Sequence, residues 1–119
     1  MTIGVIGSRR RASNLDYQLV RTTLLARRTS GRPNYVSGGC PVGGDNFCER
    51  VARELGASLT IHYADWNGLG KRAGFARNGL IAAEADLLIA CVAPDRTGGT
   101  EDTIAKFLKT HGHEDLLLL

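Results

Sequence analysis

Three times along this chain a short apolar run enters a glycine-rich turn and then a helix start. The turns are Gly7-Ser8-Arg9, Gly38-Gly39-Cys40-Pro41-Val42-Gly43-Gly44-Asp45 and Thr97-Gly98-Gly99-Thr100. Glycine lets backbone approach a neighbour closely, and a helix start points unpaired N–H groups outward. Ordinary strand-to-helix loops also favour glycine, but several such turns on one edge of a parallel sheet build a cradle for an anion.

The rest of the chain fits that frame. Thr2 to Ile6 reads as the first strand, and the capping box Ser13-Asn14-Leu15-Asp16 starts a helix running to about Arg28. Asn34 to Ser37 is the second strand. Asp45 is expected to cap a helix with Phe47, Val51 and Leu55 on one stripe and Cys48 and Ala52 beside it, which makes Cys48 a core residue. Gly56 ends that helix, and Ser58 to His62 is the third strand. Tyr63 to Arg72 is too rich in turn formers for regular structure. A helix over 73–84 follows, with Ala76, Leu80 and Ala83 expected on its core side. Asp86 to Cys91, the most apolar strand, suits a central position buried on both faces. Thr100 is expected to cap a last helix ending near Thr110, and Asp115 to Leu119 reads as a fifth strand whose leucines must pack. Strictly alternating strands and helices imply an α/β, three-layer Rossmann-like single domain with a five-stranded parallel sheet in the order 3-2-1-4-5. That order brings the Gly7 and Gly98 turns to one crevice, with the Gly38 turn beside them.

With 119 residues the chain can bury a core without disulfides. No apolar run reaches membrane-spanning length. Met-Thr-Ile-Gly leads straight into a strand, leaving no room for a signal peptide. Three cysteines without metal-ligand spacing favour a reduced, cytoplasmic setting. His111-Gly112-His113 lacks the partners for a metal site and reads as an exposed turn. A net charge of +3 is modest, and the basic residues have acidic neighbours, which argues against DNA as a partner. Arg27 and Arg28 complement a helix C-terminus. Arg9, Arg10 and Arg11 have no such local reason to be where they are.

Ile6-Gly7-Ser8-Arg9, the Gly38-to-Asp45 turn, Ala64-Asp65-Trp66, Gly70-Lys71-Arg72-Ala73-Gly74 with Arg77-Asn78, and Gly98-Gly99-Thr100 occur in that order. Together they resemble the SLOG superfamily, in particular its small YspA-like branch, over nearly the whole chain. The resemblance implies a Rossmann-like domain that binds nucleotides or nucleotide-derived ligands. Relatives include cytokinin-activating phosphoribohydrolases and the DNA-processing protein DprA. In the phosphoribohydrolases the late motif runs Gly-Gly-x-Gly-Thr-x-x-Glu, and its glutamate helps cleave an N-glycosidic bond. Here Thr103 stands at the glutamate position, after Glu101 and Asp102. Arg77 matches the family's arginine. Cys40-Pro41-Val42 replaces a tighter turn.

The candidate ligand-binding residues are therefore Gly7, Ser8, Arg9, Gly38, Gly39, Gly43, Gly44, Asp45, Trp66, Lys71, Asn78, Gly98, Gly99 and Thr100, with Arg77 and Glu101 as candidate catalytic groups. Ser8 and Arg9 offer a hydroxyl and a guanidinium suited to phosphate. Asp45 is a helix cap that could also contact a ribose hydroxyl. Trp66 either stacks on a base or plugs its loop onto the sheet. Three functions compete. A nucleotide sensor or carrier comes first, an N-glycosidic hydrolase of nucleoside monophosphates second, and a DNA-binding protein third. A homo-oligomer is expected, and no metal or cofactor is implied.

Overall fold

The computed structural model describes residues 1–27 and 33–119, and of Lys71 the backbone only. The Arg28 end of the first expected helix lies outside the described residues. Five parallel strands, β1 (Thr2–Gly7), β2 (Asn34–Ser37), β3 (Ser58–Ile61), β4 (Leu87–Cys91) and β5 (Leu116–Leu118), form one sheet in the order β3-β2-β1-β4-β5. Both the class and the strand order are those expected from the alternating pattern. Asp86 stays outside β4, accepting from the Thr2 N–H at 2.8 Å to pin the start of β1.

Alternation along the strands splits the core into two layers. Ile3, Val5, Leu87 and Ile89 face helices α1 (Asn14–Ala26) and α2 (Gly44–Leu55), meeting Tyr17, Val20, Leu24, Phe47 and Val51. Ile6, Val36, Leu88 and Ala90 face helices α4 (Ala73–Glu84) and α5 (Gly99–Leu108), meeting Ile81, Ala82, Ile104 and Phe107. Every residue of β4 is buried, as a central strand between two helix layers demands. The terminal leucines divide the same way, Leu117 and Leu119 to the first layer and Leu116 to the second, while Leu118 is exposed. Cys48 is buried and its thiol is pushed up by burial, so it belongs to the core.

Four local expectations are corrected. Ser13 does cap α1 with the full capping box, but Asp45 and Thr100 cap nothing. The caps of α2 and α5 are Gly43 and Gly98, at φ 84° and 104°, which hold the backbone in a turn that a side chain would strain. The segment expected to be irregular contains helix α3 (Trp66–Leu69), whose cap Asp65 accepts from the Gly68 N–H at 3.0 Å, followed by a 3-10 turn over Gly70–Arg72. Trp66 does not plug the core, since it is 57% exposed. On α4 the core side is Ala73, Asn78, Ile81 and Ala82, while Ala76, Leu80 and Ala83 face outward.

Candidate functional site

The C-terminal ends of β1 and β4 lie side by side where the strand order reverses, and a cleft of about 510 Å³ opens there. Its walls come from all three glycine turns and from the start of α4. Gly7, Ser8 and Arg9 form one side, Gly98, Gly99 and Thr100 the facing side, and Asp45, Arg77 and Asn78 the floor and flank.

The close approach of the turns depends on missing side chains. A Cβ on Gly44 would collide with the backbone of Ile6 and Gly7, and one on Gly43 would lie 2.7 Å from the Ser8 carbonyl oxygen. Gly38 is crowded by Arg77 and by the Asp45 carboxylate, each 2.8 Å from where a Cβ would stand. Gly38, Gly43 and Gly44 thus shape the cleft from behind, and none of Gly38, Gly39, Gly43 and Gly44 lines it.

The arginine run after β1 separates into three different roles. Arg11 is structural: its Nε donates to Asp16 at 2.8 Å, and its Nη1 donates to the carbonyls of Val92 and Leu119 at 2.8 and 3.1 Å. Arg11 thus has a structural reason for its place that the local sequence did not show. Arg10 lines the cleft but is held by Asp95 and by the Thr97 hydroxyl at 3.0 Å. The Arg10 bond is the main reason that Asp95 sits well below the usual carboxylate range. Arg9 lines the cleft, is exposed, and makes no ion pair or side-chain hydrogen bond among the described residues. Ser8 Oγ accepts from the Arg10 N–H at 3.2 Å, which leaves its own O–H available to donate.

Asp45 is the buried charge of the site, 8% exposed. Burial pushes its carboxyl up, against the opposing pull of the Cys40 N–H at 3.1 Å, the nearby Arg77 guanidinium and the Gly38 N–H. Behind it Ser37 Oγ donates to the Asp45 carbonyl and accepts from the Gly39 N–H, fixing the loop.

Arg77 and Asn78 form a bridge across the cleft. Arg77 donates to the Gly38 carbonyl from Nη1 and to Asn78 Oδ1 from Nε, at 3.0 and 3.1 Å. Asn78 Nδ2 donates onward to the Gly99 carbonyl and to Asp102, at 3.3 and 3.1 Å. Arg77 is thereby joined to both glycine loops.

Besides Gly38, Gly39, Gly43 and Gly44, Glu101 and Trp66 are expected site residues that do not line the cleft. Both Glu101 oxygens are taken by Arg96 at 2.9 Å, and the residue does not line the cleft. Trp66 stands on α3 with its ring against Gly74, away from the lining. The Lys71 side chain lies outside the described part of the structure. Residues that the sequence reading missed are Arg10, Cys40, Asp95, Thr97 and Thr103, all of which line the cleft. Asp95 carried a signal in hindsight, an acid in the turn that faces an arginine-rich one. Thr103 is 1% exposed, and its Oγ1 donates back to the Gly99 carbonyl at 3.4 Å. Among the described residues no group of histidine, cysteine and carboxylate side chains could hold a metal ion.

Two free cationic or hydroxyl donors at one end and a buried carboxylate at the other suit a ligand with both an anionic group and hydroxyls. Comparison of the chain with protein-family models, with curated proteins and with solved structures found no match.

Proposed function

We propose that this is a SLOG-type domain that binds a nucleotide, or a ligand derived from one, at the C-terminal edge of the sheet, as a sensor or carrier. The observation that carries this is Arg9, an exposed guanidinium on the cleft wall without an intramolecular partner among the described residues, beside the free Ser8 hydroxyl and opposite the start of α5. A phosphate at that end would meet charge-assisted donors, each worth roughly 1.5–3 kcal/mol. The hydroxyls of a ribose are donors that the Asp45 carboxylate can accept. The hydrolase reading is weaker, because Glu101 is tied to Arg96 outside the cleft.

Calorimetric titration with AMP, GMP, CMP and UMP, each against its nucleoside, tests the proposal. At least one monophosphate should bind about tenfold or more tightly than its nucleoside, and Arg9→Ala should remove most of that difference. Equal affinity for nucleoside and nucleotide, or a difference that survives Arg9→Ala, would defeat it.

A further inference from the structure

A second cavity opens at the other end of the sheet, where the strands begin. The first residues of three neighbouring strands, Thr2, Asn34 and Ser58, stand in one row, because Thr2 pairs with Asn34 and Asn34 with Ser58. Neighbouring strands lie about 4.8 Å apart and alternate residues share a face, so Val36 and Thr60 form the next row on the same side. Helix α4 rests on β1 there, with Ala85 and Ile81 at 3.0 and 3.5 Å from where a Cβ on Gly4 would stand. Over β2 and β3 it leaves a gap of about 280 Å³, whose walls include Thr2, Asn34, Val36, Ser58, Thr60 and Glu84.

The polar groups of this cavity lack internal partners. The side chains of Thr2, Asn34, Ser58 and Thr60 make no hydrogen bond among the described residues. Glu84 uses Oε2 to hold His62 at 2.7 Å, leaving its other oxygen free.

The lining narrows the ligand by elimination. No lysine or arginine lines the cavity, and its one charged side chain is Glu84, at the C-terminal end of α4 where the helix dipole is also negative. Anions are therefore repelled. Val36 is the one aliphatic side chain among the described lining residues, and the Tyr35 ring belongs to the other core layer, so no apolar wall awaits a base or an acyl chain. A bare metal ion would fill a small part of the space, and no three histidine, cysteine or carboxylate side chains among the described residues gather to hold one. A protonated amine supplies the charge and the N–H donors that the free Glu84 oxygen can accept. Serine, threonine and asparagine side chains each donate and accept, which suits hydroxyls. The volume lies near the lower end of small-molecule pockets, about 300 Å³, so the ligand is small.

We propose that this cavity binds a small hydroxylated primary amine, the class of an amino sugar, with its ammonium on Glu84 and its hydroxyls along the Thr2–Asn34–Ser58 row. The site shares no lining residue with the cleft and does not depend on what the cleft binds.

Titration of the isotope-labelled chain with glucosamine, followed by amide chemical shifts, tests this, with glucose as the control for charge and propylamine as the control for hydroxyls. Glucosamine should move the amides of Asn34, Ser58, Thr60 and Glu84 and leave those of Ser8 and Gly99 in place. Glucose and propylamine should each bind about tenfold or more weakly, the scale of a lost charge-assisted bond. Glu84→Gln keeps an acceptor for His62 but not the charge, and should bring glucosamine down to the level of glucose. Asn34→Ala should weaken glucosamine severalfold. Both positions are exposed, so circular dichroism should be unchanged. Unmoved amides at about 10 mM glucosamine overturn the proposal. Equal binding of glucose or propylamine overturns it too, as do shifts centred on the cleft or an affinity indifferent to Glu84→Gln.

Discussion

Arg77 on α4 donates to the carbonyl oxygen of Gly38 in the loop after β2, at 3.0 Å, across a gap that no strand or helix spans. With the Arg77–Asn78 and Asn78–Gly99 bonds it completes a chain that links the second glycine turn to the third.

Arg77→Ala should therefore loosen the two loops together. The loss should be about 1–3 kcal/mol of stability, the cost of leaving partly buried carbonyl and amide groups without partners. Urea denaturation gives the magnitude, and amide exchange at Cys40 and Thr100 shows the location. Arg77→Lys keeps the charge but not the fork, so it should recover only part of the loss. Unchanged exchange at both loops in Arg77→Ala would show that the chain of bonds holds nothing.

Asp45 gives a pH dependence of definite sign. Its carboxyl is raised by burial, so between the unfolded and native values the folded chain holds a proton that the unfolded chain has already released. Stability from this group is therefore fully present below the unfolded value and is lost as pH rises through the raised native one. Asp45→Asn removes the ionisation while keeping an acceptor for the Cys40 N–H. It should be as stable as wild type or more so at about pH 7.5, with a flatter profile down to about pH 4, near the unfolded carboxylate value. Asp45→Ala removes the acceptor too and should lose about 1–3 kcal/mol. Denaturation of all three proteins at the two pH values decides this. A steeper profile in Asp45→Asn would mean that the sign is wrong.

Much of this fold was legible because β-strand runs and helix caps are local. The capping box at Ser13, the helix stop at Gly56 and the buried run of β4 each follow from a few adjacent residues. What failed depends on distance or on ambiguity. Helix α4 is apolar or small on nearly every side, so two phases satisfy the same period, and the sequence alone offers no reason to choose Ile81 over Leu80. Asp45 stands where a capping carboxylate is plausible, yet a glycine at positive φ makes a cap unnecessary and the side chain turns back to its own loop. The separate fates of Arg9, Arg10 and Arg11 were hidden because Asp95, Val92 and Leu119 lie more than eighty residues away. At the cleft, the glycine turns announced where the backbone converges but not which side chains remain unpaired.

The Arg10–Asp95 pair predicts two opposite effects from neighbouring substitutions. Both residues line the cleft, and each is held by the other. Arg10→Ala leaves the Asp95 carboxylate unpaired and facing any bound anion, so monophosphate affinity should fall about tenfold, comparable to a lost charge-assisted bond. Asp95→Asn frees the Arg10 guanidinium and removes the negative charge, so affinity should rise severalfold, and the gain should shrink as salt is added. Titration of both variants at low and high salt is the measurement. A fall in affinity for Asp95→Asn would mean that this carboxylate touches the ligand directly.

Glycosidic cleavage is the activity for which the site residues depart from the phosphoribohydrolases that the sequence resembles. That chemistry needs a proton donor or acceptor within hydrogen-bond reach of the glycosidic centre. Thr103 stands where the phosphoribohydrolases that the sequence resembles have a glutamate, and its hydroxyl donates to the Gly99 carbonyl. Glu101 is held on the outside by Arg96 through both oxygens. The carboxylates left on the cleft wall are Asp45 and Asp95, and Asp95 is paired and held strongly ionised. Of these two, only Asp45 has its carboxyl raised, by burial, which is the direction a proton-carrying group needs. It also serves as acceptor for two backbone N–H groups, which orient it for binding rather than for proton release. Purified protein incubated with nucleoside monophosphates should therefore release little or no free base, as followed by chromatography. Glu101→Gln should leave both ligand affinity and any trace of release unchanged. Release that vanishes in Asp45→Asn would promote the domain to a hydrolase with Asp45 as its acid or base, and release that vanishes in Glu101→Gln would mean that the Arg96 pair opens when ligand binds.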